Sequence, residues 1–303
     1  MVSLSHAQRS DRLMKAATSL TVAEFDALAG EVARRWSGLH GERTAGGRLR
    51  QRQPGGGRKG VLDSPARKLF FILFYYKAYP TQDLMGLLFG ITQGQVSDWV
   101  GRLSALVGQL LPLHKPARKV RELRELVARE PSLRELIIDG TGRRVPRPAH
   151  AGRQRRYYSG RKKRHAVKNV LVTGGGQVRW CSRTAPARVH DKTLAGREKL
   201  RLPRGVTLLG DRGFAGLEAG EADLITPWKK PRGRRLHQKR RAFNRLLSRE
   251  RIAIEHTLAS VKRLRILRED FRNRRPGMVD AVMEFGCTLH NFRWSCRQQA
   301  AAA

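Results

Sequence analysis

The chain has 303 residues, 62 of them Lys or Arg against only 25 Asp or Glu, for a formal net charge of +37. A surplus of this size points to a polyanionic partner, because Lys and Arg that neutralise phosphates release condensed counterions. At 40% hydrophobic the chain can bury a core, while no apolar run reaches the roughly 18 residues a membrane span needs, so a membrane partner is not expected. The N-terminus lacks the pattern of a secretory signal. Three cysteines without a CxxC pair argue against a disulfide framework or a zinc module and for a reducing, cytoplasmic setting.

Thr21 and Glu24 carry the signature of a capping box, and Phe25, Leu28, Val32 and Trp36 follow at helical spacing, so the first ordered element is expected to start at Thr21. A Gly- and Arg-rich stretch, 41–60, reads as a flexible basic loop. Three helices are then expected at 66–77, 81–89 and 92–111, with Thr81 and Thr92 as N-caps and Gly90 opening the turn between the last two. That layout is a helix-turn-helix. Early residues of its last helix would face the major groove, where Gln93 and Gln95 suit adenine edges and Ser97 a phosphate or base. A plain helical bundle with solvated Gln side chains fits the same pattern.

A charged connector runs from Lys115 to Glu130. Beyond it, strands are expected at 136–139, 165–172, 178–184, 206–209 and 224–226, with a helix at 191–200 starting at Asp191 as N-cap and a long helical region at 237–267. The order describes an α/β domain with a mixed sheet. Residues 1–60 thus form an N-terminal helix and basic loop, 61–130 an all-α helix-turn-helix region with its connector, and 131–303 the α/β domain.

Three acids stand out in this basic chain. Asp139 closes Leu136-Ile137-Ile138, Asp211 closes Leu208-Leu209-Gly210, and Glu255 lies beside the apolar stripe Ile254, Leu258 and Val261, with Ala259 and Lys262 on its own side. Carboxylates delivered at strand ends and a neighbouring helix face are what metal-dependent phosphodiester chemistry requires. Each also has a plainer use, since Asp-Gly and Gly-Asp are turn signals and Glu255 could pair with Arg251 one turn earlier. Two basic segments flank the acids: 153–168 holds eight Lys or Arg and no acid, and 229–251 holds eleven and one acid. Tyr157 and Tyr158 interrupt the first with rings able to stack on bases. His165, His190 and His256 are supporting polar candidates, and Trp180, Trp228 and Trp294 read as packing residues.

The strings Ile137-Ile138-Asp139-Gly140-Thr141, Arg147-Pro148 and Tyr157 to Asn169, then Val189-His190-Asp191, Gly210-Asp211-Arg212-Gly213-Phe214 and Ile254-Glu255-His256, resemble bacterial insertion-sequence DDE transposases of the branch related to eukaryotic Harbinger elements. The resemblance covers about 136–294, and the preceding helical unit is similar to the helix-turn-helix that often accompanies this catalytic domain. It implies a ribonuclease-H-like fold, with Asp139, Asp211 and Glu255 as ligands of Mg²⁺ or Mn²⁺. It also implies cleavage at element ends followed by attack of the freed 3′ hydroxyl on target DNA. The implied partners are terminal inverted repeats and target DNA, held by a homodimer or larger synaptic assembly at the cytoplasmic nucleoid. Tyr157, Tyr158, Arg161, Lys162, Lys163, Arg164, Lys168 and Lys262 are the expected DNA contacts around the acids. A non-catalytic, sequence-specific DNA-binding protein of the same descent and a general metal-dependent nuclease remain as alternatives.

Overall fold

A computed structural model describes residues 2–40, 60–130, 132–160 and 162–302. The expected basic loop, apart from Gly60, lies outside the described residues. The chain divides into two compact units, Met1–Pro112 with Arg263–Ile266, and Leu113–Lys262 with Leu267–Ala303.

The first unit holds α1 (Leu4–Ala7), α2 (Asp11–Thr18), α3 (Val22–His40), α4 (Pro65–Ala78), α5 (Gln82–Phe89) and α6 (Gln93–Val107). The capping box before α3 closes in both directions, with the Glu24 N–H donating to Thr21 Oγ1 at 3.0 Å and the Thr21 N–H to Glu24 Oε2 at 2.8 Å. Order begins before Thr21, however: Ser3 and Ser10 cap α1 and α2 through their side chains, and α2 buries Met14. Phe25, Leu28 and Val32 are buried on α3, and Leu69 to Leu73, Tyr75 and Tyr76 on α4. Each fully buried Leu, Ile or Phe side chain stabilises the unit by about 1.5–3 kcal/mol, which is why the apolar run on α4 is a core helix. Lys68 is carried inward with it; its ammonium lies 4.8 Å from the Trp36 ring centre and 5.6 Å from that of Trp99, and burial lowers its pKa. Thr81 and Thr92 cap α5 and α6 as expected. The turn between them presses on α5 at Gly86, where a Cβ would come within 2.6 Å of the Ile91 carbonyl oxygen.

The second unit contains α7 (Val120–Arg129), β1 (Glu135–Arg144), α8 (Ala151–Tyr157), β2 (Tyr158–Ser159), β3 (Arg164–Gly174), β4 (Gln177–Cys181), β5 (Ala185–Pro186), α9 (Asp191–Arg197), β6 (Thr207–Leu209), β7 (Asp223–Ile225), α10 (Gln238–Val261) and α11 (Met278–Ala302). The mixed sheet runs β2-β3-β1-β6-β7, with β4 and β5 also paired to β3. β3 is antiparallel to its partners, and β6 is parallel to both β1 and β7. The connector helix α7 belongs to this unit because Leu123 and Val127 are buried in the sheet's core.

Side chains alternate across a strand, so β1 sends Leu136 and Ile138 into a cluster with α7, α9 and Trp180, while Ile137 joins Leu209 of β6 and Leu247 and Ile254 of α10 on the other face. Rather than ending at Asp139, β1 continues through Gly140-Thr141-Gly142 to Arg144, paired with β3 at each position from Ile137. Arg143, 1% exposed, donates to Asn169 Oδ1 at 2.8 Å, Thr184 Oγ1 at 3.1 Å and the Val279 carbonyl at 2.8 Å. Burial brings its guanidinium down to about 10, which leaves it charged at neutral pH. The helical region expected to end near residue 267 is followed by α11, whose buried face includes Val282, Phe285, Leu289 and Phe292. Cys181 and Cys287 are buried, and neither they nor Cys296 form a disulfide among the described residues. Among the described residues no helix is long and apolar enough to cross a membrane.

Candidate active site

Parallel pairing sets Ile137 of β1 opposite Leu209 of β6, so the two strands point their C-terminal ends the same way. Asp139 lies two residues past Ile137, on the face covered by α10, and Asp211 two residues past Leu209. The two aspartates line one cleft of about 510 Å³. Asp139 Oδ1 accepts the Gly140 N–H at 2.8 Å, and Asp211 Oδ1 accepts the Gly213 N–H at 2.7 Å, capping the single 3₁₀ turn 212–214. Thus Asp211 does have the turn role its neighbours signalled, and it faces the cleft as well.

Burial raises the Asp139 carboxyl above its ordinary pKa; the Gly140 N–H and Arg251 draw it down, and the nearby Asp211 and Asp191 push it up again. A hard oxygen donor such as Asp139, which burial and neighbouring carboxylates make costly to charge, is suited to a divalent cation, which relieves both penalties.

A third aspartate faces the same space. Asp191 lies over Gly140, where a Cβ would come within 2.6 Å of the Asp191 Cγ, and its Oδ1 is 2.9 Å from Lys168 Nζ. Its expected service as N-cap of α9 is not what the structure has: His190 occupies that position, and the charge of Lys168, across on β3, turns Asp191 into the cleft. Glu255 is exposed on α10, whereas Arg251, one turn earlier, lines the cleft beside Asp139 instead of pairing with Glu255. Among the described residues no three His, Cys, Asp or Glu side chains gather closely enough to hold a metal ion.

The model of the DDE superfamily endonucleases matches residues 138–291, just over half of the chain. The chain belongs to that family. Residues 61–113 match the helix-turn-helix of DDE superfamily endonucleases, a segment that ends beside the boundary between the two compact units. A protein of Microchaete diplosiphon described as "Probable transposase for insertion sequence element IS702" is 25% identical over 226 residues, 74% of this chain and 78% of that protein. No solved structure gives a significant match.

Around the acids of the DDE domain, Tyr158, Lys162 and Lys168 also line the cleft. The Tyr158 ring is 40% exposed and meets His165 edge-on at 5.5 Å, while Tyr157 is half-buried at the end of α8. Lys163 and Arg164 are exposed; Arg161 lies outside the described residues. Lys262 is drawn inward: its ammonium donates to the Gly142 carbonyl at 3.4 Å, and burial with Lys162 nearby pushes its pKa down to about 8. His256 is exposed.

In the helix-turn-helix, Gln93 and Gln95 are exposed at the start of α6, and Ser97 is half-buried. Gln95 has a second duty that the base-reading expectation did not include, since its Oε1 accepts the Thr92 N–H at 3.0 Å to close a capping box. Gln93 Nε2 donates to Gln82 Oε1.

Of the three tryptophans expected in packing, Trp180 is fully buried and Trp294 covers Gly176, where a Cβ would touch its ring. Trp228 is 49% exposed and is not a core residue; the backbone has already left β7 before it, and its neighbours are cations.

Proposed function

We propose that this protein is a transposase that cuts the ends of an insertion element and joins each freed 3′ hydroxyl to target DNA, with Asp139, Asp211 and Glu255 holding Mg²⁺ or Mn²⁺. The cleft shared by Asp139 and Asp211 carries this reading, because two aspartates, one within β1 and one just past the end of the neighbouring β6, combine cation ligands with affinity for a polyanion inside a strongly cationic chain. A ribonuclease-H-like fold is supported by the antiparallel run of β1, β3 and β4 and the parallel β6 and β7 on the other side of β1.

When bound, the divalent ions supply activation of the attacking hydroxyl and charge neutralisation at the leaving oxygen. The protein's own part follows from its side chains. Asp139 and Asp211 are each anchored by one backbone N–H, which fixes their orientation. Glu255 completes the acids from α10. Lys162 and Arg251 neutralise the phosphate that enters the cleft, and Lys168 orients Asp191. Tyr157 and Tyr158, with Arg161, Lys163 and Arg164, bind the flanking strand, and Lys262 supports the β1 edge at Gly142. In the helix-turn-helix, Gln93, Gln95 and Ser97 read the terminal repeat from the major groove. Action on two ends favours a homodimer or larger synaptic assembly, working in the cytoplasm on nucleoid DNA.

The test is cleavage and joining of DNA carrying the inverted repeats that flank the coding sequence, with Mg²⁺ or Mn²⁺ and with chelator. Products with a joined 3′ end support the reading. Metal-dependent cutting without end specificity or joining would instead identify a general nuclease. The exposed place of Glu255, with Arg251 in the cleft, favours a second reading as a non-catalytic DNA-binding relative. Tight binding to those ends without cleavage under either metal would establish it.

A further inference from the structure

Trp228 lies outside the hydrophobic core, with about half of its surface exposed. Its main chain is held by one side chain of α10: the Trp228 N–H donates to Asn244 Oδ1 at 2.9 Å, and Asn244 Nδ2 donates to the Trp228 carbonyl at 3.1 Å. This is the pair of bonds a neighbouring strand would make, and it fixes the backbone of a residue in a loop. One turn earlier on α10, the Arg240 guanidinium lies 4.2 Å from the indole ring centre, while about half of the residue's surface remains open, at 49% exposed. The backbone is thus fixed, Arg240 covers one face of the ring, and the rest of the indole stays open to solvent.

The surroundings indicate what the ring is for. Trp228 forms a wall of a cavity of about 560 Å³ whose other walls include Arg212, Lys230, Arg235 and Arg241, with no acid among them. Arg212 directly follows Asp211, so the cavity adjoins the acidic cleft along the chain. An indole face among several guanidinium and ammonium groups matches one ligand chemistry: a flat heteroaromatic base attached to phosphates. A duplex hides its base faces by stacking, so the base must be unpaired.

We infer that Trp228 is a stacking platform for an unpaired DNA base beside the cleft, with Arg212, Lys230 and Arg241 taking the flanking phosphates. The inference rests on the DNA-processing function proposed above and adds to it a site that holds DNA opened next to the cutting position. Asn244 is the positioning residue of this site, since it acts through the Trp228 backbone.

The test needs no cleavage. Two duplexes of the same sequence are compared in chelator, one fully paired and one with a single unpaired 2-aminopurine, a base whose fluorescence falls when it stacks. Wild-type protein is expected to prefer the unpaired form and to quench its fluorescence. Trp228→Ala should lose about ten- to a hundredfold in affinity for that form alone, relieve the quenching and leave paired-duplex affinity unchanged. Trp228→Phe should retain most of both signals, and Asn244→Ala should weaken them partly. Equal affinities of wild type and Trp228→Ala for the unpaired form, or equal losses on both duplexes, would overturn the stacking site while leaving the DNA-processing reading standing. Wild-type protein that bound neither duplex would overturn both.

Discussion

The floor and the rim of the cleft are built on opposite terms. At the floor, Asp139 and Asp211 are few, partly buried and each tied to a backbone N–H one or two residues on; their place is set by the register of β1 on β6. At the rim, Lys162 and the cations that follow it, Lys163 and Arg164, are exposed. The difference teaches that position matters at the floor and total charge at the rim. Single substitutions should therefore separate the two sharply.

The largest effect is expected for Asp139→Ala and Asp211→Ala, each lowering DNA cleavage by roughly a thousandfold or more, while duplex affinity in chelator is kept. Retained cleavage in either variant would abolish the distinction. Glu255→Ala sharpens it: a loss equal to that of Asp139→Ala would place Glu255 with the floor, and a change of only a few-fold would place it with the rim. Gly140→Ala comes next. Its methyl would displace the Asp191 carboxylate, and cleavage should fall by about a hundredfold with little change in the urea midpoint. At the small end, Lys163→Ala or Arg235→Ala should weaken DNA binding only several-fold and reduce the slope of log affinity against log salt by about one.

Where the sequence carried local signals, the fold was legible in it. Thr21, Thr81 and Thr92 announce helix starts by capping chemistry, and the apolar runs of β1, β3 and β6 announce buried strands. What could not be read depends on distant partners. Gly140-Thr141-Gly142 looks like a turn and becomes strand because β3 supplies a ladder along it. Asp191 looks like a cap, and Lys168, 23 positions earlier, turns it into the cleft. Arg251 and Glu255 share a face of α10 one turn apart, so the presence of Arg251 rather than Glu255 in the cleft depends on the height of α10 along its own axis, which a helical wheel does not supply. α2 has little apolar surface to show, and α11 is preceded by Pro276-Gly277, a start signal that the sequence expectation passed over. Trp228 is exposed because it follows β7 in a loop whose backbone is tied to Asn244 of α10.

Arg143 has a consequence beyond its own hydrogen bonds. It lies four residues after Asp139 on β1, so the two side chains leave the same face of the strand. A slip of one residue in pairing β1 with β3 would move Arg143 to the opposite face, away from Asn169, Thr184 and the Val279 carbonyl, and strand a buried cation. The guanidinium therefore ties β1 to one register on β3: a chain that has satisfied Arg143 has also set the face on which Asp139 leaves the strand.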